Sequence, residues 1–305
     1  MNNVLVVYKK SAYEIYKASS DIDVVKFVSS DCSDAVSIRQ SHDVQMRSLD
    51  SVLSVLSAKH INFDSTYRAD ITANKLLDKN LVISVGGDGT FLEVSHYVKD
   101  TLLLGVNSDP EKSTGFFCCS NTYNFADNAY NFEYVIDNIE NTEKVKRTKL
   151  ARMELKLDGK ILPELVLNDI LVAHQSPAAN TRCRLITPYD TIGHKDIIEH
   201  KESGNLEHKG SGILVCTAAG SSAFMYNEEG SIMDLSASHF EYIERGVRNA
   251  QPHFAEELTL TSLTRALCIF IDGHHLKYDF PLGKELYVTK GQPLNVIGDL
   301  EEKRK

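Results

Sequence analysis

One short stretch of the chain, Leu81 to Thr90, limits the possible folds more than any other. Its first half, residues 81–85, is a continuous apolar run that predicts a buried strand. The sequence GGDGT follows at once at 86–90, and residues 91–98 have the pattern of a helix. Glycines let backbone N–H groups approach an anion, and a helix N-terminus adds partial positive charge there. The stretch therefore predicts a phosphate-binding turn between a strand and a helix.

Asp88 is the unusual member of this turn, because a carboxylate among glycines repels phosphate unless it has a chemical task. It could coordinate Mg²⁺, or it could take a proton from a hydroxyl nucleophile. The motif is neither a Walker A sequence, which requires Gly-Lys-Ser/Thr, nor the dinucleotide motif G-x-G-x-x-G. The alternative is a tight turn in which Asp88 only caps the helix.

The composition is that of a globular protein with room for two domains. The chain has 305 residues, of which 42% are hydrophobic and 25% charged, and its formal net charge is −9. This negative charge argues against binding to nucleic acid or to an anionic membrane surface. Six cysteines without a C-x-x-C pair predict reduced, mostly buried thiols, and neither a secretory signal nor a membrane-spanning stretch is recognisable. We therefore expect a cytoplasmic protein.

The first part of the chain alternates strands and helices. Besides the strand at 81–85, apolar runs predict strands at Val4 to Tyr8 and at Leu102 to Asn107. Strands joined by helices predict a parallel, Rossmann-like sheet, whose ligands bind at the carboxyl ends of the strands. The segments 86–90 and 107–115 both follow such ends, so we expect them to face one site.

Three other segments of this part are assigned from local pattern. Residues 24–28 are valine-rich and form a candidate strand, whereas apolar positions from Val44 onward have helical spacing. Residues 121–141 also have a helical pattern. We place the end of this α/β domain at residue 144.

From residue 145 to residue 305 short strands and turns dominate, which predicts a β-rich second domain. Alternating residues over 146–157 predict an exposed strand that ends in an Asp158-Gly159 hairpin turn. Residues 285–289 and 294–297 predict a last hairpin. The terminal EEKRK predicts a solvated end, with the alternative that the C-terminal tail packs back on the first domain.

Three segments of the second domain are more polar than a β-rich core requires. Asn168-Asp169 lies in an apolar strand, where an amide and a carboxylate could bind ribose hydroxyls or an adenine amine, or could form a bulge. Residues 210–216 predict a strand, and the small residues of 217–223 follow it as a loop. Such a loop would let the backbone approach a nucleotide closely, or it could cap a helix. Asp272-Gly273 predicts a hairpin turn.

Three histidines in the same domain do not match a zinc site. His194, His200 and His208 are six and eight residues apart, unlike the usual zinc spacings. We expect all three to lie in a solvated loop.

Taken in order, these segments resemble the NAD kinase family. The resemblance extends from Val4 to about Ile297. It is carried by GGDGT at 86–90, Gly105-Val106-Asn107 with Thr114-Gly115-Phe116, Asn168-Asp169, TAAGSS at 217–222 and Asp272-Gly273. The SDP sequence after Asn107 and the pair Ser211-Gly212 resemble the branch that contains plant NADH kinase and animal mitochondrial NAD kinase.

The resemblance implies an α/β domain and a β-rich domain with the active site between them. It implies transfer of the γ-phosphoryl group of ATP to the 2′-hydroxyl of the adenosine ribose in NAD or NADH, with Mg²⁺ or another divalent cation. Asp88 would be the catalytic residue that orients or deprotonates this hydroxyl. The residues expected to contact ATP phosphates are Gly86, Gly87, Thr90 and Asn107. The residues expected to contact NAD(H) are Gly89, Asn168, Asp169, Thr217, Ala219 and Ser222. Gly89 also belongs to the phosphate-binding turn.

The chain departs from the family pattern at three positions, and the sequence identifies no metal ligand. Ser211 stands where many members have an Asp that contacts the nicotinamide ribose. Asp169 is shorter than the Glu more usual there, and Asp109 stands where a Gly is common in bacterial members. The family also implies a homodimer or a higher homo-oligomer.

Two alternatives stay open at this point. GGDGT also occurs in diacylglycerol and sphingoid-base kinases, and Glu93-Val94 after it resembles those lipid kinases. However, no Gly-Thr-Gly-Asn-Asp sequence follows the next strand. The second alternative is a non-catalytic NAD-binding sensor, against which the presence of Asp88 argues.

Overall fold

The computed structural model describes residues 3–122, 130–188, 190–191, 200–201 and 204–304. The chain divides into two compact units. The N-terminal unit comprises Met1–Thr148 together with Asn295–Lys305, and the β-rich unit comprises Lys149–Leu294. In the part of the chain so described, no helix has the length and apolar character needed to cross a membrane.

The N-terminal unit alternates helices and strands. Its elements are β1 (Val4–Tyr8), α1 (Ala12–Lys17), α2 (Ile22–Ser29), α3 (Ser33–Ala58), β2 (Phe63–Tyr67), β3 (Leu81–Gly86), α4 (Asp88–Ser95), β4 (Leu102–Asn107), β5 (Ser120–Asn121), β6 (Tyr130–Asn131), α5 (Phe132–Asn138) and the first half of β7 (Arg147–Leu150), a strand that continues into the β-rich unit. Short 3₁₀ turns lie at Arg68–Asp70 and Ala73–Leu76.

The β-rich unit contains short strands and one short helix. They are β8 (Met153–Leu157), β9 (Lys160–Ile161), β10 (Asp169–His174), β11 (Thr181–Thr187), β12 (Asp190–Thr191), β13 (His200–Lys201), β14 (Gly204–Gly210), β15 (Gly212–Cys216), α6 (Phe224–Asn227), β16 (Phe240–Arg245), β17 (His253–Ala255), β18 (Leu258–Ser262), β19 (Leu267–Ile271), β20 (Leu276–Phe280) and β21 (Glu285–Lys290). The last elements of the chain are β22 (Leu294–Ile297) and α7 (Leu300–Arg304).

The sheet of the N-terminal unit has the strand order β2-β1-β3-β4-β22-β7. Neighbouring strands from β2 to β22 run parallel. Tyr8 lies opposite both Tyr67 and Val85, and Gly86 lies opposite Asn107. The residues that follow β1, β2, β3 and β4 therefore share one edge of the sheet, where α/β proteins bind ligands.

Helices α3 and α5 cover one face of this sheet. Alternate residues Val4 and Val6 of β1 are buried in one cluster with Leu49 and Val52 of α3 and with Val135 of α5. Strand β3 is buried along its whole length, which explains its uninterrupted apolar sequence.

Three helices of this unit differ from the sequence prediction. Residues 24–28 are helical, not a strand, because Asp21 caps α2 by accepting from the backbone N–H of Asp23 at 2.9 Å and Val28 is buried. Helix α3 begins at Ser33, eleven residues before the predicted start at Val44. The sequence pattern did not reveal these first turns because only Ala35 is buried in them, so they lack a clear apolar stripe. Helix α4 starts within the GGDGT motif and ends at Ser95.

The predicted helix over 121–141 is shorter in the structure. Its helical part is α5, which begins after Asn131 caps it by accepting from the N–H of Glu133 at 2.9 Å. Asn121 belongs to strand β5, and residues 123–129 lie outside the described residues.

Two antiparallel sheets form the β-rich unit. Their strand orders are β13-β12-β17-β16-β15-β10-β19-β20 and β14-β11-β18-β21-β8-β9. One apolar cluster joins inward-facing residues of both, including Ile170, Val215, Leu260 and Val288. On β15, Leu214 and Cys216 point to a second cluster with Met225, so this strand is buried on both faces. The predicted fold class, a parallel α/β part followed by a β-rich part, is confirmed.

Two expectations for the strands of the β-rich part were wrong, and one turn was confirmed. The strand over 146–157 is interrupted after Leu150, because buried Arg152 turns inward and donates from Nε to the carbonyl of Gln292 at 2.8 Å. The segments 285–289 and 294–297 do not form a hairpin: β21 pairs with β8 and β18, whereas β22 adds a parallel strand beside β4. The Asp158-Gly159 turn is confirmed, with φ angles of 53° and 79°.

His208 is also not in a solvated loop. It lies fully buried on β14, and its Nδ1 is 2.8 Å from Oε2 of Glu244. The side chains of His194 and His200 lie outside the described residues. Burial of the cysteines is confirmed for all but Cys32, and all six are free thiols.

Candidate active site

The turn between β3 and α4 requires its first two glycines. A Cβ on Gly86 would lie 2.4 Å from Oγ1 of Thr90, and one on Gly87 would lie 2.7 Å from Oγ of Ser113. The N–H groups of Thr90 and Phe91 both bond to the carbonyl of Gly87, which closes the first helical turn. Side chains larger than hydrogen would therefore open this turn.

Gly89 differs from Gly86 and Gly87 because it is exposed and no atom lies within 4 Å of the position that a Cβ would take. It follows Asp88, the first residue of α4, so its N–H and that of Asp88 have no acceptor within the helix. These amide groups, at the positive end of the helix, are available to an anion.

Asp88 is held in place by the backbone of a neighbouring loop. Its Oδ1 accepts from the N–H of Phe117 at 2.8 Å, and its Oδ2 accepts from the N–H of Phe116 at 2.9 Å. Phe117 stacks on Phe91 of α4, with ring centroids 5.0 Å apart. A carboxylate has about four acceptor positions, so two are left for a ligand.

Asn107 stabilises the loop that follows β4. Its Nδ2 donates to the carbonyl of Ser113 at 2.9 Å, and its Oδ1 accepts from the N–H of Asp109 at 3.2 Å. Gly115 in this loop has a φ of 58°, and a Cβ there would lie 2.4 Å from Nδ2 of Asn107. The N-terminal unit thus brings together Gly86, Gly87, Asp88, Gly89, Thr90 and Asn107, with Asn107 buried beneath the loop.

In the β-rich unit, Asp272 orders the start of β10. Its carboxylate accepts three consecutive backbone N–H groups, those of Leu167 at 2.9 Å, Asn168 at 2.7 Å and Asp169 at 3.0 Å. Asp272 itself has a φ of 47°, a conformation that Asp tolerates better than most residues. The turn predicted at 272–273 is therefore also an anchor for the Asn168-Asp169 pair.

The segment 217–222 is fixed against the same pair. The N–H of Thr217 donates to the carbonyl of Asn168 at 2.9 Å, and Oγ1 of Thr217 accepts from the N–H of Ala219 at 3.1 Å. A Cβ on Gly220 would lie 2.2 Å from the carbonyl oxygen of Asn168. Asn168, Asp169, Thr217, Ala219 and Ser222 therefore belong to one cluster, in which Ser222 is partly exposed.

Two polar groups of this cluster are unusual for buried side chains. Oδ1 of Asn168 is buried and, among the described residues, has no hydrogen-bond partner. Burial, followed by the charge of Asp272, raises the pKa of Asp169 to about 7. An unsatisfied acceptor and a carboxyl group poised near neutrality are typical of binding sites.

A pocket of about 260 Å³ lies beside Asp169. This volume is slightly below the usual range for a complete small-molecule site, so it suits one part of a larger ligand. The other lining residues are Leu171, Phe224, Phe270, Gly273 and His274.

Sequence reasoning missed several residues of these clusters. Phe224 and His274 line the pocket, and the amides of Phe116 and Phe117 hold Asp88, but neither contact leaves a local sequence signal. The Asp-Gly pair at 272–273 indicated a turn. Nothing in the sequence indicated that Asp272 accepts hydrogen bonds from residues about a hundred positions earlier. Ser211 lies exposed at the β14–β15 junction, with its N–H donating to the carbonyl of Arg245 at 2.8 Å.

Solved structures of known proteins share this fold. An NAD kinase from Archaeoglobus fulgidus, determined in complex with ATP, superposes with a TM-score of 0.63 and 16% identity, covering 99% of this chain and 95% of that one. Yeast NADH kinase, determined with NADH, superposes with a TM-score of 0.61 and 14% identity, covering 98% and 84%. At these identities the likeness concerns the fold alone.

Sequence relatives are closer to this chain. A probable NADH kinase of Oryza sativa subsp. japonica is 31% identical over 269 residues, 79% of this chain and 77% of that protein. The NADH kinase of Arabidopsis thaliana is 31% identical over 273 residues, 80% of each. NAD kinase 2, mitochondrial, of Xenopus tropicalis is 23% identical over 268 residues, 73% of this chain and 62% of that protein. No family model matches the chain. Because the identity to the plant proteins extends over about four fifths of the chain, and the order of motifs agrees with it, the chain belongs to the NAD kinase family.

Proposed function

We propose that this protein is an ATP-dependent NAD(H) kinase, which transfers the γ-phosphoryl group of ATP to the 2′-hydroxyl of the adenosine ribose of NAD or NADH. The observation that carries the proposal is Asp88, a carboxylate held by two backbone amides beside the exposed Gly89. A ribose hydroxyl is a weak nucleophile, and a fixed carboxylate orients it and accepts its proton. The new O–P bond forms as the bond between the γ-phosphorus and the bridging oxygen of ATP breaks, and ADP leaves.

The N-terminal unit holds the phosphates in this proposal. The glycine turn lets phosphate oxygens reach the N–H groups of Asp88 and Gly89, with Gly86 and Gly87 keeping the turn closed. Asn107 acts through the loop that it fixes, and Thr90 acts from beneath the turn. Positioning and charge stabilisation account for most of the rate enhancement in phosphoryl transfer.

The β-rich unit binds the adenosine half of NAD(H). The free acceptor of Asn168 suits an adenine amine or a ribose hydroxyl, and Asp169 suits a hydroxyl. Thr217, Ala219 and Ser222 line the same cluster, and the apolar pocket beside Asp169 receives the base.

Mg²⁺ fits this site as a partner of the nucleotide. The described residues contain no cluster of three or more His, Cys, Asp or Glu side chains able to hold a metal. Mg²⁺ in kinase sites is commonly bound through one or two carboxylates together with substrate phosphates. Asp109, which follows β4 at the same sheet edge as the glycine turn, would supply a carboxylate, whereas Asp88 is taken up by the ribose hydroxyl in this proposal. When bound, the ion neutralises charge on the phosphates.

Purified protein incubated with ATP, Mg²⁺ and either NAD or NADH tests the proposal, with NADP(H) measured by a coupled dehydrogenase. We expect product that depends on Asp88, and the ratio of the two rates gives the preferred redox form. NAD binding without turnover would instead support a non-catalytic sensor. Phosphorylation of sphingoid bases or diacylglycerol in vesicles, without NADP(H), would support a lipid kinase.

Assembly and location stay predictions. We propose a homodimer or a higher homo-oligomer in the cytoplasm, where buried thiols stay reduced. A relative from Xenopus tropicalis carries the word mitochondrial in its name, so fractionation of the source cells is the test of location.

A further inference from the structure

Lys9 is the first residue after β1, at the carboxyl edge of the N-terminal sheet. Tyr8, the residue before it, lies opposite Tyr67 and Val85. Lys9 therefore lies at the level of Arg68 on one side and of Gly86 on the other. It shares this edge with the glycine turn.

The Lys9 ammonium group is half-buried and forms no ion pair within the part of the chain that the structure describes. Among the described residues, its Nζ has no hydrogen bond or ion pair, although its backbone carbonyl accepts from Gln45. A cation partly withdrawn from water is costly unless an anion compensates it. Lys10, the next residue, differs because it is exposed and lies over the Tyr67 ring, with Nζ 4.7 Å from its centroid.

A second cation increases the cost of leaving Lys9 unpaired. Burial and then the Arg68 charge lower the pKa of Lys9, while Asp109 and Cys118 act in the opposite direction. Arg68 is itself fixed to α4, because its Nε lies 3.1 Å from Oε2 of Glu93. Cys118 lies against the turn, with its Sγ 3.8 Å from the carbonyl of Gly86.

We propose that Lys9, supported by Arg68, binds the phosphate chain of the phosphoryl donor beside the glycine turn. The ligand is an extended anion with several phosphate groups, because the Lys9 ammonium and the N–H groups of Asp88 and Gly89 are separate donors along one sheet edge. This inference rests on the proposed kinase function and adds to it the residues that recognise the donor.

Equilibrium titrations of the 305-residue protein test the inference, with ATP, tripolyphosphate and adenosine as separate probes. We expect Lys9→Met to weaken the binding of ATP and of tripolyphosphate at least about tenfold, and to leave adenosine unaffected. Lys10→Met is the matched control and should leave all three affinities within about twofold. In turnover, Lys9→Met should raise KM for ATP but not KM for NAD(H).

The thermal midpoint of the ligand-free variants separates a binding role from a structural one. Removing an unpaired, half-buried cation should leave the midpoint of Lys9→Met unchanged or higher. A lower midpoint would mean that Lys9 also stabilises the fold, and Lys9→Arg, which keeps the charge, should then recover both the midpoint and part of the affinity for ATP and tripolyphosphate. Recovery of the midpoint without any recovery of affinity would overturn the binding role.

Each remaining outcome decides between the site and the function. The Lys9 site would be overturned if Lys9→Met bound both ATP and tripolyphosphate as tightly as the wild type does. It would also be overturned if the wild-type protein bound neither probe. If NAD or NADH were still phosphorylated in either case, the proposed function would stand without the Lys9 site. Conversely, Lys9-dependent binding of ATP without phosphorylation of NAD or NADH would keep the site and refute the function.

Discussion

The carboxylate of Asp88 and the backbone N–H of Phe117 are 2.8 Å apart, and this contact joins the glycine turn to the loop after β4. The second oxygen of Asp88 accepts from Phe116 at 2.9 Å. Because backbone amides cannot rotate away as side chains do, the loop fixes the direction of the carboxylate before any substrate binds. One group thus serves both the local fold and the proposed chemistry.

Replacing Asp88 with Asn should separate these two roles. We expect kcat to fall by ~10²–10⁴-fold, because an amide cannot accept the hydroxyl proton. Stability should fall by only about 1 kcal/mol, since the amide oxygen keeps one of the two backbone hydrogen bonds. The coupled assay and urea unfolding measure the two effects, with Asp50→Asn on the exposed face of α3 as control. Near-full turnover of Asp88→Asn would exclude the catalytic role.

Two glycines of the turn should respond in opposite ways to alanine. At Gly89 the structure leaves space for a methyl group, and alanine favours a helix by up to about 1 kcal/mol, so stability should be unchanged or higher. The methyl group would however cover the amides offered to phosphate, and KM for ATP should rise. At Gly86 the clash with Thr90 should cost about 1–3 kcal/mol. Unfolding curves and initial rates check both; a destabilised Gly89→Ala would contradict the description of the turn.

Lys303 of α7 should position Asp88 indirectly. Its Nζ donates to the carbonyls of Gly115 at 2.6 Å and Cys118 at 2.9 Å, on either side of the two amides that hold Asp88. We expect Lys303→Met to lower kcat roughly tenfold with KM little changed, because misplacing a reacting group slows chemistry more than binding. Lys303→Arg should recover part of kcat, and Glu301→Gln, exposed on the same helix, should behave as wild type. An unchanged kcat in Lys303→Met would remove the positioning role.

Asp272 should matter for stability in proportion to the hydrogen bonds that each substitution removes. Asp272→Asn keeps the positive φ and an acceptor oxygen, so we expect a loss of about 1–2 kcal/mol in the free energy of unfolding. Asp272→Ala leaves three backbone N–H groups without their acceptor and should cost about 3 kcal/mol or more. Asp279→Asn on the neighbouring strand β20 is the exposed control. Equal stability of the Asn and Ala variants would show that the carboxylate is not the anchor.

The raised pKa of Asp169 should make stability depend on pH. Between pH 4 and pH 7 the folded protein keeps a proton that the unfolded chain has released, because the pKa is about 7 when folded and near 3.8 otherwise. The free energy of unfolding should therefore fall by on the order of 4 kcal/mol as pH rises through this window, and then level off. Asp169→Asn has no carboxyl group to titrate at this position. The difference between the unfolding free energies of the wild type and of this variant, measured with urea at each pH, therefore isolates the contribution of Asp169. Parallel curves from pH 5 to pH 8 would contradict the assignment.

Much of the N-terminal unit could be predicted from the sequence because its signals are local. The buried run at 81–85 and the glycines after it specify a strand and a turn within one short segment. The alternation of strands and helices was enough to predict the parallel sheet. Segment 24–28 was misassigned because its valines favour a strand, whereas the cap at Asp21 and the burial of Val28 decide for a helix.

The β-rich unit could be predicted only as a class, because its contacts join distant parts of the chain. The motif order identified Asn168-Asp169 and 217–222 as parts of one family pattern, but their contact depends on the pairing of Asp169 with Cys216 across β10 and β15. The final strand β22 was misread as half of a hairpin, because a short apolar run does not reveal which sheet it joins.

The sequence by itself therefore determined the class of fold, the glycine turn around Asp88 and the family, since each depends on neighbouring residues or on their order. Only the tertiary structure decided that Phe116 and Phe117 hold Asp88, that Asp272 holds Asn168 and Asp169, and that Lys9 makes no ion pair with any of the described residues. The physical reason is that hydrogen bonding, desolvation and charge depend on distances in space, and those distances are set by packing between segments far apart in the chain.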